Sequence, residues 1–256
     1  MPNYDPVEYW LYIPKLIDTL CFFITGLIIY RKKKYIINKL FGFAMWSWNI
    51  YTISDLIIWT HGADSEFMLQ VVNVIRDIQI FAAITVAFLV YLISRIIAQS
   101  LKAINKRNII LIGMIFYIIA TLLASRESLH IEDAQGNILA PSEWNSVPMV
   151  IVVTDLDLLF GMLMLTPVIL YYFSIKNLND VKKNIKDSLN KKRINRLIIG
   201  FSLLPIGLIY FATILGLGIV TNAVFYFFLG RAIWISSSLF ILSSQIEPKN
   251  KTNNNN

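Results

Sequence analysis

The chain has 256 residues, of which 56% are hydrophobic and 15% are charged, and its formal net charge is +7. Charged residues supply roughly 25% of an ordinary soluble domain, so this composition argues against a soluble globular protein and favours a membrane protein. The only cysteine, Cys21, excludes an intramolecular disulfide.

The apolar residues form seven blocks, each close to the roughly 20 residues that a helix needs to cross a bilayer. None of the blocks alternates apolar and polar residues as a membrane β-strand does. We therefore predict helices at 10–30, 40–60, 69–93, 109–125, 149–173, 197–217 and 222–243. The predicted fold is an all-α integral membrane protein, a bundle of seven transmembrane helices in one domain over 1–247. The polar residues 248–256 are predicted to form a disordered tail.

The basic residues predict the orientation, because cytoplasmic loops carry an excess of Lys and Arg. The segments 31–39, 94–108 and 174–196 hold five, four and eight of them, and they alternate with the acidic segments 61–66 and 126–146. Seven helices then place the N-terminus outside and the C-terminus in the cytoplasm of a multi-pass protein of the cell membrane. This topology explains the positive net charge, so nucleic acid is not expected as a partner.

The third basic segment, 174–196, repeats apolar residues at spacings of three and four, from Ile175 to Leu189. This spacing predicts an amphipathic helix with a basic polar face. Such a helix can extend the fifth membrane helix, lie on anionic lipid or contact a cytoplasmic partner.

Several ionisable residues lie inside the predicted helices, where a charge is costly and is a candidate for function by default. With the predicted orientation, all of them lie in the outer half of the bundle or near its midplane. They predict a polar cavity open to the outside, with an aromatic neighbour one turn after the arginine of the seventh helix. The cavity residues are Lys15, Asp18, Asp55, Arg76, Asp77, Asp155, Asp157, Arg231 and Trp234.

Arg231 lies in the middle of the last apolar block, "NAVFYFFLGRAIWISSSLFIL". Asp18 is the best match for it in depth, with Asp77 and Asp157 as the next candidates, and Asp18 can also pair with Lys15 on the same helix face. The alternative interpretation is structural, since buried ion pairs can set helix packing with no ligand at all.

Helix 6 contains Pro205 between two glycines in "GFSLLPIGLIYF". A proline removes a backbone hydrogen bond and kinks a helix. We predict Pro205 as a hinge that could pass a change near the seventh helix to the cytoplasmic end.

Known catalytic patterns are missing from the sequence, which has two histidines, both in predicted outer loops, and no P-loop or GxSxG motif. A histidine-based zinc site is not expected, and we predict that the protein is not an enzyme. The pair of aspartates in "DLD" is too common a pattern to indicate a metal site.

The seven-helix plan is similar to that of microbial rhodopsins and of G-protein-coupled receptors. "FSLLP" in helix 6 resembles an aromatic-x-x-aromatic-Pro element of the rhodopsins, and Arg76 lies where their third helix often carries an arginine. However, helix 7 has no lysine for a retinal Schiff base, so no cofactor is expected, and the DRY and NPxxY motifs of the receptors are missing. No family is assigned on these features.

The sequence thus predicts a receptor or sensor that binds a small polar ligand from outside and signals through a separate cytoplasmic partner. The first alternative is a small-solute or proton-coupled transporter. The second is a retinal-free opsin-like protein or a scaffold whose ion pairs serve only folding. The lipid bilayer is the one partner that every alternative requires.

Overall fold

The computed structural model describes residues 6–32, 35–61, 66–99, 105–126, 129–132, 151–154, 158–216 and 223–246. These residues form seven helices and one short hairpin. The predicted tail at 248–256, Asp155 and Asp157 lie outside the described residues. The elements are α1 (Pro6–Arg31), α2 (Ile36–His61), α3 (Glu66–Gln99), α4 (Lys106–Arg126), β1 (Leu129–Glu132), β2 (Ile151–Thr154), α5 (Leu158–Asn184), α6 (Ser188–Gly216) and α7 (Ala223–Gln245).

Four of the helices contain a stretch that is long and apolar enough to cross a membrane: Tyr12–Arg31, Gln70–Gln99, Ser188–Phe211 and Phe225–Gln245. Large apolar side chains also cover their outer surfaces, among them Leu20, Ile78 and Leu239. A helix that is apolar on all faces is stable only when it is buried or surrounded by lipid. The chain is therefore a helical membrane protein.

The helices form a closed ring in the order α1, α2, α3, α5, α6, α7, in which α7 returns to contact α1. The fourth helix packs mainly on α3 at the edge of this ring, and it exposes Met114, Tyr117 and Ile118. Because α4 lies at the edge, α3 contacts α5 directly. The neighbouring positions of α1 and α7 bring the first and last helices of the chain together.

Aromatic side chains fill the centre of the ring. Phe22 and Trp48 lie with their ring centroids 5.8 Å apart, and Phe41 stacks on Phe201 at 6.0 Å. All four are fully or almost fully buried. Rings of this size bury large apolar areas and prefer tilted or offset contacts, so they join α2 to α1 and to α6.

The prediction for the start of the fifth helix is wrong. Residues 151–154, placed in a helix that began at 149, form β2 and pair antiparallel with β1, with Leu129 opposite Thr154 and Glu132 opposite Ile151. The sequence of β2 is Ile-Val-Val-Thr, and β-branched side chains favour strands. A short apolar run does not distinguish a strand from the first turn of a helix, which explains the error.

The basic segment 174–196 is mostly helical and continues the two membrane helices on either side of it. The fifth helix runs on to Asn184, and α6 begins at Ser188 after a break at 185–187. Asp187 ends the break as the N-cap of α6, because its carboxylate accepts hydrogen bonds from the backbone N–H groups of Leu189 (3.1 Å) and Asn190 (3.2 Å). The segment thus extends the fifth helix as far as Asn184, and its contact with anionic lipid or with a cytoplasmic partner stays a prediction.

Candidate functional site

Two cations and two carboxylates form an ion-pair cluster between α1, α2 and α7. Lys15 Nζ lies 2.8 Å from Asp55 Oδ2, and Arg231 Nη1 lies 3.1 Å from Asp18 Oδ2. The second terminal nitrogen of Arg231 also contacts Asp55 Oδ2. Asp55 therefore accepts from both cations, and the four residues, called the charge cluster below, connect three helices. The predicted pairing of Arg231 with Asp18 is confirmed.

Burial makes this cluster energetically important. Lys15 and Asp18 are fully buried, and the side chain of Arg231 is 3% exposed, whereas the side chain of Asp55 is 18% exposed. A buried charge without a partner costs several kcal/mol, so the two positive and two negative groups are stable there only because they neutralise one another. Asp55 is the only partly exposed member of the cluster.

The cluster also contains polar atoms with unused bonding capacity. Asp18 Oδ1 and Arg231 Nε are both buried, and neither has a hydrogen-bond partner among the described residues. A carboxylate oxygen can accept two hydrogen bonds, and each guanidinium N–H can donate one. The charge cluster thus retains one acceptor atom and one donor for a further polar group.

Aromatic rings surround the guanidinium of Arg231. Its central carbon lies 4.9 Å from the ring centre of Trp234, 5.0 Å from that of Phe227 and 5.4 Å from that of Phe211. Lys15 Nζ lies 5.2 Å from the ring of Phe227. A cation within about 6 Å of a ring centre is attracted to the π-electrons, most strongly when water is excluded. These rings stabilise both cations and keep the dielectric constant around them low.

Trp234 connects the charge cluster to α6. Its indole N–H donates to the carbonyl of Leu204 at 3.2 Å, immediately before Pro205, and α6 continues through that proline. The ring lies edge-on to Trp48 at 5.2 Å and to Tyr51 at 5.8 Å. Nearer the other end of the same pair of helices, Ser237 Oγ donates to the carbonyl of Gly200 at 2.7 Å. A movement of Arg231 would therefore reach α6 through its neighbour one turn away.

We expect Trp234→Phe to lower the free energy of unfolding by more than about 1 kcal/mol, the usual net contribution of one hydrogen bond, because phenylalanine keeps an aromatic ring but is smaller than the buried indole and cannot donate to Leu204. The measurement is denaturant unfolding of the purified protein in detergent. Trp46→Phe is the matched control, because the indole N–H of Trp46 is buried without a hydrogen-bond partner among the described residues. An unchanged midpoint for Trp234→Phe would show that the bond adds no stability.

The structure brings together five of the nine predicted cavity residues: Lys15, Asp18, Asp55, Arg231 and Trp234. Arg76 contacts Gln79 Oε1 on its own helix at 2.9 Å, and Asp77 is partly exposed on the same helix. These two residues on α3 are not members of the charge cluster. Asp155 and Asp157 lie outside the described residues, so their part in a cavity stays a prediction.

Sequence reasoning missed a line of polar side chains that leads from the cluster toward the middle of α1 and α2. Thr19 Oγ1 donates to Thr52 Oγ1 at 3.1 Å, and Thr52 Oγ1 donates to the carbonyl of Asn49 at 3.0 Å. Asn49 is buried, and its Oδ1 has no hydrogen-bond partner among the described residues. The spacing of three between Asn49, Thr52 and Asp55 puts them on one face of α2, and this pattern could have indicated the line.

The chemistry of the cluster is ionic binding. Its groups are two carboxylates, an ammonium and a guanidinium. Within the described part of the chain, no three His, Cys, Asp or Glu side chains converge on a point where they could hold a metal ion. A ligand amine has the chemistry to replace Lys15 beside Asp55, and a ligand carboxylate has the chemistry to replace Asp18 beside Arg231.

Compared with models of known protein families and with curated protein sequences, the chain matches none.

Proposed function

We propose that the protein is a seven-helix membrane receptor or sensor with its N-terminus outside and its C-terminus in the cytoplasm. The alternation of basic and acidic loops supports this topology. It is further supported by the meeting of three basic side chains, Lys32, Arg193 and Arg196, at the C-terminal carbonyls of α7. On this topology the charge cluster lies in the outer half of the bundle, far from the basic end.

The ligand is a small polar or charged molecule that enters from outside and competes for Asp55. The observation that carries this proposal is the position of Asp55: it holds both cations of the cluster and is its only partly exposed member. A ligand that takes one of the two cations from Asp55 leaves the rest of the cluster unbalanced, and the buried charges must then pair anew. Binding is thereby converted into movement of α1 or α7 relative to α2.

The signal passes through α6. Arg231 stacks on Trp234, and Trp234 is hydrogen-bonded to α6 next to Pro205, so the proline is well placed to act as the hinge. The N-terminal end of α6 lies in the basic segment 174–196. A separate cytoplasmic partner receives the signal there. The ligand binds the rearranged ion pairs more tightly than the original ones, and this difference in affinity supplies the free energy of the switch.

We expect Asp55→Cys, in a Cys21→Ala background, to react from outside intact cells with a membrane-impermeant, negatively charged methanethiosulfonate. The neighbouring cations attract an anion, so this reagent should react about tenfold faster than a positively charged one. Ser54→Cys is the matched control, because the adjacent Ser54 side chain is buried. Equal rates at the two positions, or reaction only after the cells are permeabilised, would contradict an outward-facing site.

A transporter is the second candidate, and the polar line through Thr19, Thr52 and Asn49 favours it. Hydroxyl and amide groups that lead inward from buried charges resemble the path that a proton or small ion needs. Flux of protons or small solutes into proteoliposomes distinguishes the two functions. A flux that Asn49→Leu abolishes would favour transport over sensing.

A further inference from the structure

Two adjoining clefts lie at the basic end of the bundle, where α5, α6 and α7 meet. The first has a volume of about 420 Å³ and is lined by Lys182, Ser188, Lys191, Lys192, Asn195 and Arg196. The second, of about 360 Å³, is lined by Leu189, Lys192, Arg193, Arg196, Ser243 and Ile246. Lys192 and Arg196 line both clefts, and the two clefts together are called the basic groove below.

The basic groove holds five cations and no carboxylate. Three of these cations are held in place by neutral acceptors on other elements: Lys182 by the side chain of Asn195 at 2.6 Å, Arg193 by the carbonyl of Ser244 at 3.0 Å and Arg196 by the carbonyl of Ser243 at 3.2 Å. In the described part of the chain, no acidic side chain forms an ion pair with any of the five. Their positive charges are therefore available to an anion.

The second cleft has an apolar border. Leu189 and Ile246, which line it, are 47% and 51% exposed. Farther along α6, beyond the cationic turn that ends at Arg196, Ile206 and Ile209 are also exposed. The change from basic to apolar surface along one helix marks a membrane boundary, where long basic side chains reach the polar headgroups. A soluble anion would use only the cations, whereas a phospholipid also has acyl chains for the exposed apolar surface of α6 beyond Arg196.

We propose that the basic groove binds the phosphate headgroup of an anionic phospholipid. Arg196 supplies planar N–H donors that suit phosphate, and the lysines supply point charges around it. Basic pockets between membrane helices on the cytoplasmic side recognise such headgroups. The site does not depend on the receptor function proposed above, because it is remote from the charge cluster and requires no outside ligand.

The test measures the thermal unfolding of the full-length protein in a neutral detergent while dioleoylphosphatidylglycerol or dioleoylphosphatidylcholine is titrated. A ligand that binds the folded state raises Tm by an amount that grows with the logarithm of its concentration relative to its Kd. We expect the anionic lipid to raise Tm and the zwitterionic lipid to have little effect. In Lys192→Gln/Arg196→Gln, the lipid concentration that gives the same rise in Tm should be about 25-fold higher, since each basic residue near an anionic surface contributes roughly fivefold.

The control variant is Lys106→Gln/Arg107→Gln, which removes the same two kinds of exposed charge at the start of α4, outside the groove. Lys191→Gln/Lys192→Gln keeps the contact of Arg196 with α7, so a loss of lipid response in this variant does not arise from a weakened fold. An equal loss in the control variant would overturn the proposal by showing general charge attraction. An equal shift of Tm with soluble glycerol phosphate would also overturn it, in favour of a site for free anions.

Discussion

Arg231→Gln is expected to lower the free energy of unfolding by about 3–5 kcal/mol, the usual cost of breaking a buried ion pair from one side. The substitution leaves Asp18 and Asp55 with Lys15 as the only cation of the cluster. Glutamine is long enough to fill much of the space, so the loss reflects charge more than volume. Denaturant titration of the purified protein, followed by circular dichroism, measures the change.

A double variant distinguishes the effect of charge balance on stability from the effect of lost contacts. Asp18→Asn/Arg231→Gln leaves Lys15 and Asp55 as a neutral pair, so we expect this double variant to be more stable than Arg231→Gln alone. Exposed Arg107 provides the control, because Arg107→Gln should change stability by less than about 0.5 kcal/mol. Additive losses in the double variant would contradict the idea that Arg231 stabilises the fold by balancing both carboxylates.

Gly207→Ala is expected to cost about 2–3 kcal/mol through overpacking. A Cβ at Gly207 would lie 2.0 Å from Trp234 Nε1 and 2.5 Å from its Cδ1. The indole would have to move, which breaks its hydrogen bond to Leu204 and disturbs its contact with Arg231. Thermal unfolding measures the loss, and a shift of tryptophan fluorescence should accompany it.

Gly113→Ala is the matched control for this substitution. A Cβ at Gly113 would meet Phe88 at an ordinary 3.5 Å, so the better helix propensity of alanine should make the variant neutral or more stable by up to about 1 kcal/mol. If Gly207→Ala behaved like Gly113→Ala, the close contact between α6 and α7 would not be a constraint on the fold.

Most of the helical structure could be predicted from the sequence, because each apolar block has its own length and its own polar ends. The prediction failed at residues 151–154, where a short β-branched run was assigned to a helix. Strand formation there depends on pairing with residues 129–132, which are distant in the sequence. The extension of α5 to Asn184 was one of the possibilities that the apolar spacing of the basic segment indicated, whereas the start of α6 at Ser188 was missed because a polar, basic segment gives no membrane signal.

The candidate site was predictable in part. Equal depth in the membrane was enough to pair Arg231 with Asp18, since depth follows from residue count along a helix. The spacing of Arg231 and Trp234 likewise placed them on one face. The central role of Asp55 was not predicted, because it depends on how far α2 is rotated toward α1 and α7, and no local spacing encodes that rotation.

By itself, the sequence determined the helical membrane class of the protein and most of the helices among the described residues, because these follow from local composition and from the length of each apolar block. Only the tertiary structure decided which charges meet. The ring closes without α4 and brings α7 against α1, so Asp55 receives both Lys15 and Arg231, while Arg76 and Asp77 on α3 stay apart from the cluster. Contacts between helices depend on their packing angles and rotations, which arise from the fit of many side chains at once.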